Sequence, residues 1–141
     1  MTRVGFYVVG DAGQSQRLQV AARLADKAFA RGHRIFIHAT DRAQAQALDD
    51  LLWNFRPASF LPHGLVGSEH ADAIAIGWGQ DPDSHNDLLI NLQLEIPAFF
   101  SRFQRVAEVV TQDPDSLAAL RQSWSFYKDR GYQLEKHDLK T

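Results

Sequence analysis

The chain of 141 residues is 45% apolar and 23% charged, enough apolar side chain for one core and too much for default disorder. It contains no cysteine, which removes disulfides, thiolate metal sites and a cysteine nucleophile, and its net charge of -2 gives no electrostatic case for gripping nucleic acid. No apolar run approaches the ~20 residues of a membrane span, Met1–Phe6 reads as the start of a strand and not a secretory signal, and a reducing, cytoplasmic compartment is permitted.

The first strand is expected over Val4–Val9, β-branched and aromatic, ended by Gly10-Asp11-Ala12-Gly13. A helix follows from about Ser15 to Arg31, where Leu18, Ala21, Ala22, Leu24, Ala25, Ala28 and Phe29 recur at helical spacing and Gly32 supplies the stop. Arg34–His38 reads as a second strand. Asp41 with Gln44 three residues on resembles a capping box, opening a helix through Ala45, Leu48, Leu51 and Leu52. Three further strands are expected at Ala73–Ile76, Asp87–Asn91 and Arg105–Val110, with a short apolar helical turn led by Pro97 before the last of them. The final helix takes Asp113 as N-cap and Pro114 at its first position, and runs to Arg130 before Gly131. The tail from Tyr132 to Leu134 is left to lie back on the body. Strand–helix–strand alternation without repeats or linkers gives one α/β domain over 1–141, with helices on both faces of a mostly parallel sheet.

Such a sheet invites a nucleotide hypothesis, but Gly10–Ser15 lacks both GxGxxG and the Lys-Ser/Thr pair of a phosphate loop, and Asp11 would repel phosphate. A tight strand-to-helix turn accounts for it better. His70, Asp72, His85 and Asp87 carry possible metal or acid–base chemistry and support an alternative reading, a small metal-dependent or hydrolytic enzyme. They lie in Gly/Pro/Ser-rich loops without i, i+4 pairing, and no Gly-x-Ser-x-Gly elbow exists, so loop polarity is the simpler account.

Charge is unevenly spread: residues 1–42 carry a net +4, residues 43–100 a net -7 and residues 101–141 a net +1. An acidic partner should therefore look to the two ends, unless these are merely solvated faces. Two segments resist a bland reading. From Leu48 to Gly64, Trp53, Phe55, Phe60 and Leu61 are dense apolar surface on a backbone stiffened by Pro57 and Pro62. Aromatics on a rigid loop serve equally as buried anchors or as the hot spots of a protein interface. On the last helix, Leu117, Leu120, Trp124 and Tyr127 form a stripe, and Arg121 and Lys128 flank Trp124 at i-3 and i+4. An indole between two cations suits a ligand with an apolar group beside an anion, because guanidinium can take a carboxylate in two parallel hydrogen bonds. The competing account is an amphipathic helix whose cations snorkel.

These segments resemble the chi subunit of bacterial DNA polymerase III holoenzyme. The likeness is carried by Gly5-Phe6-Tyr7, Leu48-Asp49-x-x-Leu52-Trp53, Ser59-Phe60-x-Pro62-His63 and Tyr127-Lys128-x-x-Gly131-Tyr132-x-Leu134, in order across essentially the whole chain. The resemblance implies a Rossmann-like three-layer fold without a functional phosphate-binding loop, and no cofactor, metal or catalytic activity. It implies a clamp-loader adaptor working in the cytoplasm at the replisome, with no direct contact to nucleic acid or membrane. Its partners would be the psi subunit and the acidic C-terminal tail of single-stranded DNA-binding protein, which ends in a Phe with a free carboxylate. Matched by position, the psi-facing residues are Trp53, Phe60 and Pro62. The tail-binding residues are Arg121, the carboxylate clamp, Trp124, the wall of a Phe pocket, and Lys128. Leu117 departs from the family pattern, standing where a further basic residue can occur, which weakens expected recognition of the tail's upstream acids. Val109 and Val110, at the end of the neighbouring strand, are expected to floor the pocket.

Overall fold

A computed structural model of the chain describes residues 2–10, 13–55, 61–68, 71, 73–82 and 84–139. Its centre is a 7-stranded sheet in the order β3-β4-β2-β5-β6-β1-β7. The strands are β1 (Arg3–Val8), β2 (Ile35–His38), β3 (His63–Leu65), β4 (Ile74–Gly77), β5 (Leu88–Asn91), β6 (Arg105–Val110) and β7 (Gln133–Asp138). Every neighbouring pair is parallel, as strands joined by crossover helices must be. The helices are α1 (Gln14–Ala30), α2 (Arg42–Asn54) and α3 (Pro114–Asp129), with a 3-10 turn at Phe100–Arg102.

The sheet divides the core in two. On one face α1 and α2 cover Ile35, Ile37, Ile74, Ile76, Ile90 and Val109. On the other, α3 and the segment around the 3-10 turn cover Val4, Phe6, Phe36, Leu89, Val106 and Val110. Burial on both sides explains why Ile35–His38 and Ile74–Gly77 are near-continuous apolar runs. The three-layer α/β arrangement matches the reading from sequence.

Helix ends follow local chemistry. Asp41 is the N-cap of α2, and its carboxylate accepts the Gln44 amide at 2.8 Å. The Gln44 side chain reaches back one residue further than a capping box requires, and accepts the Thr40 amide at 2.8 Å. Gly131 follows α3 at φ +80°, the left-handed conformation that ends a helix at least cost on glycine.

Two strands escaped the sequence reading. The expected loose tail is the edge strand β7, parallel to β1 with Val4 opposite Leu134 and Phe6 opposite Lys136. The short β3 pairs with β4 at the opposite edge. The short apolar turn expected after Pro97 is a 3-10 turn at Phe100–Arg102. Asp11 and Ala12 of the strand-to-helix turn lie outside the described residues.

Candidate functional site

The last helix is built to start at one residue. Asp113 has extended backbone, and its carboxylate accepts the Ser116 amide at 3.1 Å and the Thr111 hydroxyl at 2.5 Å. The Thr111 hydrogen bond is the main reason its carboxyl is held down to about 2, with the Ser116 contacts adding to it against a desolvation cost. Pro114 then fixes the first helical residue.

From there α3 turns Ser116, Ser123 and Tyr127 fully inward, while Leu117, Leu120 and Trp124 are half-buried on the sheet. Tyr127 is locked below by a polar knot. Its hydroxyl donates to Glu108 Oε2 at 2.8 Å, and Asn91 Nδ2 donates to Glu108 Oε1 at 2.9 Å. Burial pushes the Glu108 carboxyl up to about 7, against the opposing pull of those two donors and of the Arg17 guanidinium. Arg17 is itself buried and donates to the Leu92 carbonyl. The knot ties α3 to β5, β6 and α1.

On the outer flank, the Trp124 ring packs at 5.3 Å and 49° against Phe6. Arg121 and Lys128, one turn to either side, are both exposed. Neither side chain forms a hydrogen bond or ion pair with another described residue, so both charges are available to a ligand. The structure thus brings all three residues onto one strip of α3, a half-buried indole with an exposed cation on either side. Leu117 lies half-buried beside it. Strand alternation corrects the expected floor: Val110 faces α3, whereas Val109 belongs to the opposite core.

A hollow of about 480 Å³ lies against the other flank of α3, lined by Leu94, Ile96, Pro97, Phe100, Gln122 and Phe126 among others. Sequence reasoning missed it, because nothing in Leu94–Pro97 announces that Leu94 is left 45% exposed. The Arg130 guanidinium stacks on Phe126 at 3.6 Å.

The second candidate patch lies at the β3 edge. Trp53, in the last turn of α2, is 50% exposed, and its ring meets His63 edge-on at 4.8 Å. His63 is buried, with its ring nitrogens 2.5 Å from the Leu61 carbonyl and 3.1 Å from that of Asp49. Leu61 is an anchor of the fold and Pro62 is half-buried. Of this segment, Leu61 and His63 are buried and Trp53 is half-exposed. Phe60 lies outside the described residues.

Of the histidine and aspartate loops, the structure describes His85 and Asp87. His85 is buried, with Nδ1 3.3 Å from the Pro82 carbonyl, and Asp87 accepts the Arg34 amide at 2.8 Å. His70 and Asp72 lie outside the described residues. Among the described residues, no three His, Asp or Glu come together as a metal-ligand set, and no helix is long and apolar enough to cross a membrane.

Comparison with known proteins adds to this geometry. The family model "DNA polymerase III chi subunit, HolC" matches residues 1–135. A protein of Pseudomonas aeruginosa named DNA polymerase III subunit chi is 47% identical over 99% of this chain and 98% of its own length. Proteins of the same name are 29% identical in Haemophilus influenzae, over 95% of both chains, and 32% identical in Escherichia coli, over 86% of this chain and 85% of that one. The crystal structure of T4 UvsW superposes with a TM-score of 0.67 at 10% identity, over 99% of this chain and 42% of that one, a likeness of fold alone.

Proposed function

The chain belongs to the DNA polymerase III chi subunit family, and from that premise we propose that it is a non-catalytic accessory subunit of the replicase. In this reading it is an adaptor in the cytoplasm that joins the clamp-loader assembly to single-stranded DNA-binding protein. The Arg121/Trp124/Lys128 strip takes the acidic C-terminal tail of that protein. Trp53, Phe60 and Pro62 take psi or an equivalent loader or helicase partner.

The observation that carries the reading is the α3 strip itself: a half-buried indole between two exposed cations that no described residue neutralises. In this reading Arg121 takes the terminal carboxylate through two parallel hydrogen bonds, Trp124 walls the terminal Phe and Lys128 meets an upstream acid. A tail of a few residues buries little area, so affinity should be about micromolar. Many tails on one coated DNA strand then raise the effective concentration.

The test is fluorescence anisotropy with a labelled tail peptide. Arg121→Ala should weaken binding by more than about tenfold, because it removes a charge-assisted anchor at the centre of a small interface. Affinity unchanged in that variant would overturn the assignment.

A further inference from the structure

The sheet face opposite α3 is incompletely roofed. All-parallel sheets are normally covered on both faces. Here α2 packs against one flank of α1, and α1 covers mainly β2, β5 and β6. The other flank of α1, with Leu24, Lys27, Ala28 and Arg31, borders an open groove of about 390 Å³. Tyr7 of β1 and His137 and Leu139 at the β7 edge form its far wall, with Ala107 of β6 in its floor. Adjacent strands lie about 4.8 Å apart and a helix with its side chains is about 10 Å across, so the two uncovered strands β1 and β7 offer the width of one helix.

The rim states what kind of helix. Lys27, Arg31 and Arg105 line the groove and are exposed, and their side chains form no hydrogen bond or ion pair with another described residue. Asp87, the one carboxylate among the lining residues, is engaged by the Arg34 amide. The Tyr7 ring is stacked at 4.7 Å on His137 and so is already covered on that side, which disfavours a base-stacking platform for nucleic acid. The interior is apolar and concave, and positive charge is confined to the edge.

We propose that this groove docks an amphipathic helix of a partner protein, its apolar face seated on Tyr7, Leu24, Ala28 and Leu139 and its acidic flank set against Lys27, Arg31 and Arg105. The occupant completes the helix layer beside α1. The site lies across the sheet from the α3 strip, so it works independently of tail binding.

The test titrates ¹⁵N-labelled full-length chain with a synthetic helical peptide of about 16 residues, bearing Leu at i, i+3, i+4 and i+7 and Glu along one flank. Saturable shifts should appear at Gly5, Tyr7, Ala28, Arg31 and Ala107. The double variant Arg31→Glu/Arg105→Glu should bind about tenfold more weakly and recover binding to a peptide whose Glu residues are replaced by Lys. Arg121→Ala should bind the Glu peptide as well as the parent chain does, which separates this site from the α3 strip. An intact spectrum of the double variant confirms its fold. The proposal is overturned by absence of saturable shifts, by shifts confined to α3, or by loss in the double variant without recovery by the Lys peptide. Binding of oligothymidylate in the groove, or concentration-dependent shifts there without peptide, would equally overturn it by assigning the groove to nucleic acid or to a second copy.

Discussion

Glu108 is a carboxyl placed where ionisation is costly, and its titration should be visible in stability. Its folded pKa is raised to about 7, above the ordinary carboxyl range. The unfolded chain therefore loses this proton at lower pH than the folded one does. Stability from this group is present below about pH 4 and declines as pH rises through about 7, where both states are ionised. Glu108→Gln stays neutral, so its urea-unfolding free energy should fall less across that window than that of the parent chain; equal slopes would remove Glu108 as the titrating group. Asp113 has the opposite sign. Held down to about 2, it stabilises above the ordinary carboxylate range and loses that contribution as pH falls toward 2. Asp113→Ala should cost about 1 kcal/mol at neutral pH by uncapping α3, measurable by chemical denaturation, with a smaller difference near pH 2. The Arg121, Trp124 and Lys128 strip was legible in the sequence because helical neighbours three and four apart are fixed by local geometry. The Arg17–Glu108–Tyr127 knot was not, because its members meet only through the fold. The one hint was a lone Glu inside the apolar run Val106–Val110.

Among elements, helices were the easiest to read, since caps and periodicity lie within each segment; Asp113, Pro114 and Gly131 bracket α3 as expected. The edge strands were harder. Apart from Leu134, Gln133–Asp138 carries charged and polar side chains on both faces, so no apolar run announces it, and only pairing with β1 makes it a strand. Its charges suit an edge, where Glu135, Lys136 and Asp138 discourage a further strand from adding. Removing the chain after Tyr132 should expose β1, lower unfolding stability by about 2 kcal/mol or more and promote association at high concentration. A truncated chain that melts like the parent would show β7 to be dispensable. The three-residue β3 was hidden for a related reason: Pro62 and a stretch rich in aromatics read as loop, and His63 enters the sheet only because its ring is bonded beneath α2. Trp53 at that edge is half-exposed, so Trp53→Ala should change stability by less than about 1 kcal/mol while abolishing capture of a psi-type partner in a pull-down. A large loss of stability would make it a fold anchor instead.

At the scale of the molecule, the two candidate surfaces stand at opposite edges of the sheet. Trp53 lies beside β3, whereas Trp124 rests on Phe6 of β1, next to β7. Strand spacing puts β3 and β1 roughly 24 Å apart, far enough for two partners to bind without mutual exclusion and for substitutions at one site to leave the other unchanged. The sequence conveyed the α/β class because strand and helix alternate along it, but not the strand order that sets this separation. Binding through exposed cations should also weaken as salt rises. The central claim is that the closing helix grips another polypeptide's free end. Its most direct measurement is retention of the intact chain on immobilised single-stranded DNA-binding protein, with its tail complete or lacking its last residues. The account predicts salt-sensitive retention on the complete tail and none on the shortened one; equal retention on both would contradict it.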